Sequence, residues 1–369
     1  MHVNRRTATS SLVAAACSLP LWPRLRAQEP AAAADQRSSK GAAGTPIRVG
    51  QIGVAHAHAS KLSVYRQSPD YEVVGIVEPD AELRQAAQRQ PAFRDVPWMT
   101  EEQLFNTPGL QAVLVETHVR DGLATAQRCI AAGKHIHLDK PAGASLPAYQ
   151  QLLAAAQAQQ LMVQMGYMYR YSPAVERLRQ FLQAGWLGDI FEVHAVMSKV
   201  VDPASRKGLA EFSGGMMFEL GCHLIDLVVG VLGAPAQVTA FSQHAAKVDD
   251  GLQDNMLAVF DYPRAIASVK TSALEFDGFA RRHLVVCGTH GTFHIQPLDN
   301  PAAVITLAKA QGDYSAGRQN VSFPKFVRYV ADAADMARVI RGQSPVQFDY
   351  AHDLAVQTAV LQAAGMPLT

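Results

Sequence analysis

The segment GKHIHLDKP, residues 133–141, decides the fold assignment of this 369-residue chain. Its apolar core has the length and composition of a buried strand, which ends in Lys140 and Pro141. Alternating strand and helix patterns precede it from Ile47 onward and predict a parallel, doubly wound sheet. Ligands bind at the carboxyl ends of strands in such sheets, so we expect the Lys140 ammonium to lie in a cleft. Desolvation there would lower the lysine pKa and permit proton transfer, whereas a solvated lysine at a strand end is the alternative.

The composition bounds the class of protein. With 49% hydrophobic and 18% charged residues, the chain is large enough for two domains with sizeable cores. A net charge of +1 without a basic block argues against nucleic acid as a partner. No apolar run has the length of a membrane span. The cysteines are sparse and include no CxxC pair, which argues against a disulfide framework.

The N-terminus has the features of an export signal. Residues 1–27 contain a twin-arginine pair, Arg5 and Arg6, before an apolar stretch, and predict a secretory signal peptide. A lipoprotein processing site at Cys17 is the alternative to a soluble, periplasmic or otherwise exported protein. Residues 28–45 are rich in alanine, serine, glutamine and glycine, and predict a disordered linker.

Residues 46–142 are predicted to form a Rossmann-like dinucleotide-binding domain. The turn after the first strand should carry G-x-G-x-x-G, but only Gly53 is present, with Ala55 as a small residue that still admits a pyrophosphate. Glu78 ends the second strand, where an acid binds ribose hydroxyls and disfavours a 2′-phosphate. The pattern therefore predicts that the cofactor is NAD in preference to NADP. The alternative is that Glu78 is an exposed glutamate at a strand end and binds no cofactor.

His56 and His58 lie in the same turn, two residues apart. Two such histidines could bind a metal ion, contact phosphate, or simply close a wide polar turn. Because no third ligand is adjacent in sequence, we assign no metal.

Residues 143–369 are predicted to form an α+β domain for substrate binding and oligomerisation. Helical patterns give way after Leu232 to successive strands with short turns, which predict a large, open, mostly antiparallel sheet. A C-terminal helix, residues 350–364, is expected to pack back on the first domain. A sheet face without helices usually needs a partner, so we expect a homodimer or homotetramer.

One predicted helix of this domain, residues 216–232, carries three ionisable groups. Glu219, His223 and Asp226 have the spacing i, i+4 and i+7, which places them on one face of a regular helix. A histidine between two carboxylates is suited to general acid or base catalysis, with one acid fixing its tautomer. A structural polar network, or a metal pair from Glu219 and His223, is the alternative.

Together these segments resemble the glucose–fructose oxidoreductase / inositol dehydrogenase (Gfo/Idh/MocA) family. Asp139-Lys140-Pro141 is similar to its Glu-Lys-Pro motif, residues 214–226 to its Gly-Gly…Asp-x-Gly-x-His-x-x-Asp segment, and residues 288–292 to its Gly-Thr-x-Gly-Thr turn. The resemblance implies hydride transfer between a nicotinamide and a hydroxyl carbon of a sugar or cyclitol. It also implies that Lys140 and His223 are catalytic, with an acid at Glu219.

The resemblance extends to the ligand contacts. The expected catalytic residues are Lys140, His223, Glu219 and Asp226. The expected cofactor-binding residues are Gly53, Ala55, His56, His58, Glu78, Thr117, His118, Asp139 and Lys140. The expected substrate-binding residues are Tyr169, Arg170, Tyr171 and Lys199. The chain departs from the family in its glycine loop and in residues 116–120, which replace a Thr-Pro-Asn segment.

Three functions remain open at the level of sequence. The first is an exported NAD(P)-dependent oxidoreductase acting on a sugar, glycoside or cyclitol. The second is a non-redox lyase, epimerase or hydrolase that uses Lys140 and His223 on a keto-sugar, with or without a metal ion. The third is a non-catalytic homologue.

Overall fold

The computed structural model describes residues 44–369. The predicted signal peptide with its arginine pair, Cys17 and nearly all of the predicted linker lie outside these residues. Within the described range, no helix is both long and apolar enough to span a membrane.

The N-terminal part contains a sheet of five parallel strands in the order β2-β1-β3-β4-β5. Its strands are β1 Ile47–Ile52, β2 Tyr71–Val77, β3 Leu110–Val115, β4 His135–Leu138 and β5 Val163–Met165. The strand order reverses between β1 and β3, which is where such sheets bind ligands. The predicted Rossmann-like sheet is therefore confirmed.

The first sheet reaches further along the chain than the predicted domain boundary. β5 pairs with β4 through Ile136 opposite Val163, although we placed the boundary at residue 142. The segment 161–166 is short and apolar, and its sequence does not show which sheet it joins. The pairing corrects the boundary and brings the residues after β5 close to Lys140.

Five helices connect these strands: α1 Leu62–Gln67, α2 Ala81–Gln88, α3 Glu101–Phe105, α4 Val119–Ala131 and α5 Leu146–Ala158. Side-chain caps fix several of their starts. Asp80 accepts hydrogen bonds from the first turn of α2, Thr100 forms a capping box on α3, and Ser145 caps α5. A 3₁₀ turn, Ala59–Lys61, precedes α1.

The C-terminal part contains an eight-stranded sheet in the order β13-β12-β11-β10-β6-β9-β8-β7. Its strands are β6 Ile190–Ser198, β7 Gln237–Gln243, β8 Asn255–Tyr262, β9 Ala265–Ser272, β10 His283–Gly288, β11 Gly291–Ile295, β12 Ala302–Leu307 and β13 Gly317–Ser322. Only the β6–β9 pair is parallel, so the predicted mostly antiparallel sheet is confirmed. One face is buried under helices, whereas Phe241 and Ile266 are exposed on the other.

The remaining helices surround this sheet: α6 Pro173–Gln183, α7 Pro203–Leu209, α8 Cys222–Leu232, α9 Gly278–Arg281, α10 Val330–Ile340 and α11 Tyr350–Ala363. The C-terminal helix α11 packs against α8 and α5. Its Gln357 side chain donates to the Gly143 carbonyl at 2.6 Å, a few residues after the end of β4. From α10, the Ala333 carbonyl accepts from the Tyr71 hydroxyl at 2.7 Å. Both helices thus attach to the N-terminal part.

The predicted helix over residues 216–232 is present, but it is not regular. A π-helical turn, Met217–Gly221, runs directly into α8. A π turn has i→i+5 hydrogen bonds and therefore holds one more residue than an α turn. The regular α-helical spacing that would align the three groups therefore holds only for His223 and Asp226, which both lie in α8.

Candidate active site

Lys140 lies at the end of β4 and is almost fully buried. Its Nζ donates to the carboxylate and to the backbone carbonyl of Glu219, both at 2.9 Å. Burial opposes the charged form, but the Glu219 carboxylate outweighs it and raises the lysine pKa above its ordinary value. The expectation of a lowered pKa is therefore wrong. Lys140 is an ammonium and acts as a hydrogen-bond donor.

His223 lies in the first turn of α8 and is 3% exposed. Burial, with Lys140 and His58 nearby, lowers its pKa well below the ordinary value, so the ring is neutral. Its Nδ1 is buried and has no hydrogen-bond partner within residues 44–369. Tyr167 and Tyr169 flank the ring, with centroids 6.0 and 5.5 Å away. A neutral imidazole in this position can accept a proton.

The two acids expected beside His223 have other partners. Glu219 pairs with Lys140. Asp226 accepts hydrogen bonds from Arg170, at 2.6 Å from one guanidinium nitrogen, and lies 3.4 Å from His352. The π turn changes the spacing of Glu219, and Arg170 binds Asp226, so the predicted stripe is not formed. Within residues 44–369, no carboxylate accepts a hydrogen bond from Nδ1 of His223.

A buried charge cluster lies beneath the glycine-poor turn. The Lys61 ammonium, with no exposed side-chain surface, is 2.5 Å from an Asp139 oxygen and 2.9 Å from a Glu116 oxygen. It also lies 2.9 Å from Nε2 of His137. Burial raises the Glu116 pKa to about 8 despite Lys61, and lowers the His137 pKa to about 3. Because Lys61 pairs with both Glu116 and Asp139, it links the ends of β3 and β4.

His56 and His58 both face Asp139. Nδ1 of His56 lies 3.2 Å from one carboxylate oxygen, and Nδ1 of His58 lies 3.1 Å from the other. Burial lowers the His58 pKa to about 4, so its ring is neutral, and it lies 6.1 Å from the His223 ring. These histidines and Asp139, expected to bind the cofactor, form a polar layer beside Lys140 and His223 and do not line the cleft at the carboxyl ends of β1, β2 and β3.

A cleft of about 760 Å³ lies at the carboxyl ends of β1, β2 and β3, at the point where the strand order reverses. Five of the expected cofactor-binding residues line it, namely Gly53, Ala55, Glu78, Thr117 and His118. Gly53 has a φ of +91°, and a Cβ there would lie 2.5 Å from the Thr117 nitrogen, so a larger residue cannot replace it.

Comparison with known proteins supports the architecture. Residues 47–167 match the model of the oxidoreductase family with an NAD-binding Rossmann fold, and residues 175–294 match the GFO/IDH/MocA C-terminal domain. The two segments together make up well over half of the chain. The chain belongs to the Gfo/Idh/MocA oxidoreductase family.

Individual relatives in the Gfo/Idh/MocA family are distant. Trans-1,2-dihydrobenzene-1,2-diol dehydrogenase of Sus scrofa is 24% identical over 234 residues, covering 62% of this chain and 68% of that protein. The uncharacterized oxidoreductase YhhX of Escherichia coli is 27% identical over 193 residues, covering 52% and 54%. The aligned parts thus span about half to two thirds of these curated relatives.

Solved structures share the Gfo/Idh/MocA fold across most of the chain. The oxidoreductase yhhX superposes with a TM-score of 0.72 at 19% identity, covering 87% of this chain and 97% of that one. UDP-N-acetylglucosamine 3-dehydrogenase from Acidithiobacillus ferrooxidans gives 0.72 at 22% identity, covering 86% and 96%. An oxidoreductase from Agrobacterium radiobacter, solved in complex with NAD⁺, L-tartaric acid and magnesium, gives 0.74 at 16% identity, covering 86% and 94%.

The cleft fits the dinucleotide of a Gfo/Idh/MocA enzyme at its ribose end. The Glu78 carboxylate accepts the backbone N–H groups of Val54 and Asp80, both at 3.0 Å, which fixes it at the cleft wall. Each carboxylate oxygen keeps a further lone pair for a ribose hydroxyl. At the phosphate end the fit is poorer, because the backbone N–H groups of the loop already have partners. That of His56 donates to the Glu116 carbonyl, and that of His58 donates to Nδ1 of His56.

The residues expected at the substrate separate into two groups. Arg170 is buried and pairs with Asp226 and Asp353, both at 2.6 Å, and the Tyr171 hydroxyl donates to Asp335 at 2.8 Å. These two side chains lie in internal networks. Tyr169, by contrast, has its ring beside His223 and donates to Asp299 at 2.7 Å.

Lys199 lies at the end of β6 on the same side as Lys140. It is half-buried, and burial together with the nearby Lys140 lowers its pKa. Arg282 accompanies it, since the guanidinium donates to the Ser198 carbonyl at 3.4 Å and to Asp299 at 2.8 Å. Tyr169 and Arg282 both donate to Asp299, and neither they nor Lys199 line the cleft.

Several residues of the site were missed from sequence. Lys61 follows the two histidines, but a lysine in a short helix is typical of a solvated surface. Glu116 and Asp299 stand at a strand end and in a loop that have no motif. Only the fold shows that Lys61 and Glu116 are buried beside Asp139, and that the partly buried Asp299 accepts from Tyr169.

Proposed function

We propose that the protein is an exported NAD(H)-dependent oxidoreductase that interconverts a hydroxyl and a keto group on a sugar, glycoside or cyclitol. One observation carries the proposal: a dinucleotide-sized cleft ends at β3, and the Lys140 ammonium stands at the end of the next strand, β4, beside a neutral His223. This arrangement places a proton donor and a proton acceptor next to a cofactor site.

Lys140 and His223 supply the proton chemistry. An ammonium has three donors, and its bonds within the described chain use two of them, both on Glu219. The third can bind the reacting oxygen and stabilise its developing negative charge. The neutral His223 ring can take the hydroxyl proton as the substrate is oxidised, and can return it in the reverse direction. Hydride acceptance is the chemistry that a bound nicotinamide supplies.

The cofactor preference follows from Glu78. A carboxylate at the ribose end would bind the 2′-hydroxyl of NAD and repel the 2′-phosphate of NADP. The relatives' names, a dihydrodiol dehydrogenase and a UDP-N-acetylglucosamine 3-dehydrogenase, support a ring hydroxyl as the reacting group. Tyr169, Lys199 and Arg282 would then hold the ring.

Export through a twin-arginine route sets a condition on turnover. That route carries folded proteins, so the cofactor would be loaded before export and stay bound. A second substrate would then have to restore the oxidation state of the cofactor. Periplasmic location is tested by fractionating cells that express the full chain, beside a variant with Arg5→Lys and Arg6→Lys.

The cofactor is tested directly on purified protein. We expect nicotinamide in the supernatant after denaturation, detected by mass spectrometry, and tighter binding of NAD⁺ than of NADP⁺ by titration calorimetry. Glu78→Ser should reduce that difference, whereas Glu72→Ser, an exposed change on the same strand, should not. If no nicotinamide co-purifies and neither form binds, hydride transfer is excluded.

A second candidate function is non-redox proton chemistry on a keto-sugar. The observation that favours it is the loop after β1, where N–H groups that would bind a pyrophosphate are satisfied internally. Lys140 and His223 would then abstract and return a proton beside the carbonyl, as in elimination or epimerisation. Incubation with keto-sugars without added NAD distinguishes this activity from the first. Turnover that requires NAD would exclude it.

A further inference from the structure

A cluster of imidazole nitrogens and carboxylate oxygens next to Lys140 has an arrangement that the proposed proton chemistry does not use. It comprises His56, His58, Asp139 and Glu116. The ligand-type atoms of His56, His58 and Asp139 all lie within 4.8 Å of one another. His56, Asp139 and Glu116 are at most 9% exposed.

The hydrogen bonds of His56 define which nitrogen faces the acids. Its Nε2 lies 3.0 Å from the Lys140 carbonyl, which can only accept, so Nε2 carries the hydrogen. Nδ1 then faces two carboxylate oxygens, on Asp139 at 3.2 Å and on Glu116 at 3.7 Å. Metal-binding histidines usually have this orientation. One ring nitrogen donates to a backbone carbonyl, and the other faces the remaining ligands, here carboxylates.

His58 approaches the same carboxylate from the other side. Its Nδ1 is 3.1 Å from the second oxygen of Asp139, and its side chain is 16% exposed. The backbone N–H of His58 also lies 3.2 Å from Nδ1 of His56. An ion bound at Nδ1 of His56 would replace this hydrogen bond.

One carboxyl oxygen of the cluster leaves room for a further cation. The Lys61 ammonium contacts Oδ2 of Asp139, Oε1 of Glu116 and Nε2 of His137. The other Glu116 oxygen, Oε2, is buried without a hydrogen-bond partner in the part of the chain described. A buried polar atom without a partner is costly, so a cation between this oxygen, Asp139 and the histidines would stabilise the site.

We propose that His56, His58 and Asp139, with Glu116 as a fourth ligand, form a binding site for a divalent first-row transition metal ion. Two imidazoles and carboxylates are the ligands of Zn²⁺, Fe²⁺ or Mn²⁺, whereas Ca²⁺ and Mg²⁺ prefer oxygen alone. The second acid-rich group, Glu116 with His137 and Asp139, is not a metal site, because the Lys61 ammonium already occupies its centre. The proposal goes beyond the redox function and does not depend on it.

Metal content tests the proposal without reference to activity. The protein is stripped with a chelator, dialysed against Zn²⁺, Mn²⁺ or anaerobic Fe²⁺, and analysed by mass spectrometry. We expect about one ion per chain, as in other structural or catalytic centres with two histidines. Co²⁺ added to the stripped protein should give visible absorption bands from ligand coordination.

Variants assign the ion to this cluster. His58→Ala and Asp139→Asn should each weaken metal binding by at least tenfold, because they remove a ligand. The matched control is His294→Ala, in a trio with His283 and His194 on the open sheet face, where centroids of neighbouring rings are 5.8 and 5.2 Å apart. Its metal content should equal that of the wild type.

Two results would overturn the proposal. One is a wild-type protein that takes up no metal, in which case a proton on His56 is the cation of the cluster. The other is metal lost in His294→Ala and kept in His58→Ala. Circular dichroism checks folding, and Co²⁺ spectra of the wild type remain informative if a variant does not fold. NAD titration of the same stripped sample separates failure of this proposal from failure of the redox function.

Discussion

At the scale of single residues, the environment of each ionisable group decides its role. Lys140 and His223 were both expected to exchange protons, yet the structure gives them opposite characters. The acid partner of Lys140 keeps it charged, while His223 is buried beside cations and is neutral. A fixed donor beside a neutral acceptor suits the oxidation of a hydroxyl group.

Replacing Lys140 tests this division. Lys140→Met keeps the length of the side chain and removes its donors, so we expect kcat/KM to fall by about 10²–10⁴-fold, the usual contribution of such a group. Lys199→Met, at the substrate side, should mainly raise KM. Steady-state kinetics on the identified substrate measures both, with cofactor affinity checked by calorimetry. A Lys140→Met enzyme within tenfold of the wild type would contradict the assignment.

Asp332, a buried acid near Lys61 and Asp139, predicts a pH dependence of stability. Burial raises its pKa from 3.8 to about 7, and both carboxylate oxygens lack hydrogen-bond partners in residues 44–369. Between these values the folded protein holds a proton that the unfolded chain has lost. The free energy of unfolding therefore decreases as the pH rises from about 4 to 7, by at most about 4 kcal/mol.

Asp332→Asn should remove this pH dependence. Urea unfolding at pH 5 and pH 8 measures the change, and the variant is expected to lose less stability than the wild type over that interval. The exposed replacement Asp313→Asn serves as the control and should follow the wild type. Equal losses in the wild type and Asp332→Asn would rule out the carboxyl as the cause.

At the scale of elements, a single π turn redirects the helix that contains His223. The sequence spacing places Glu219, His223 and Asp226 on one face only if the helix is regular throughout. In the structure Glu219 lies in the π turn and binds Lys140, whereas Asp226 lies in the regular α8 and binds Arg170, which also binds Asp353. Arg170, Asp226 and Asp353 connect three parts of the chain, namely the segment after β5, helix α8 and helix α11. Asp226 is thus part of an internal ion-pair network.

Asp226→Ala should therefore lower the free energy of unfolding. Removing one partner of a buried ion pair leaves an uncompensated charge and costs about 3–5 kcal/mol. Arg128→Ala breaks the exposed Arg128–Glu101 pair and should cost less than about 1 kcal/mol. Denaturant unfolding of both variants gives the comparison. A cost for Asp226→Ala no larger than that for Arg128→Ala would show that the triad does not hold the elements together.

At the scale of the whole molecule, the open face of the large sheet is the surface expected to form an oligomer. Ile266 is 59% exposed and Phe241 56% exposed, and the strand register places both on this face. Exposed apolar groups on one uncovered face favour contact with a second copy of the chain.

Ile266→Glu should weaken this association. Size-exclusion chromatography with light scattering is expected to give a dimer or tetramer for the wild type and a smaller species for the variant. Gln88→Glu, an exposed change on α2, adds the same charge elsewhere and should leave the mass unchanged. A wild-type monomer would remove the sheet face as an interface.

The sequence by itself determined the order of the elements and the positions of Lys140 and His223. Apolar periodicity and turn residues are local, so they can be read without knowing which segments meet. The same holds for Gly53 and Glu78, whose strand-end positions follow from the first two strands of the pattern.

Only the tertiary structure decided which charges pair. Lys61 with Asp139, Glu219 with Lys140 and Arg170 with Asp226 are each brought together by strands and helices distant in the chain. The strength of an ion pair depends on the distance between the charges and on their burial. Sequence spacing predicts neither quantity where a π turn or the β4–β5 pairing changes which residues meet. The polar layer that replaces the glycine loop is therefore visible only in the folded protein.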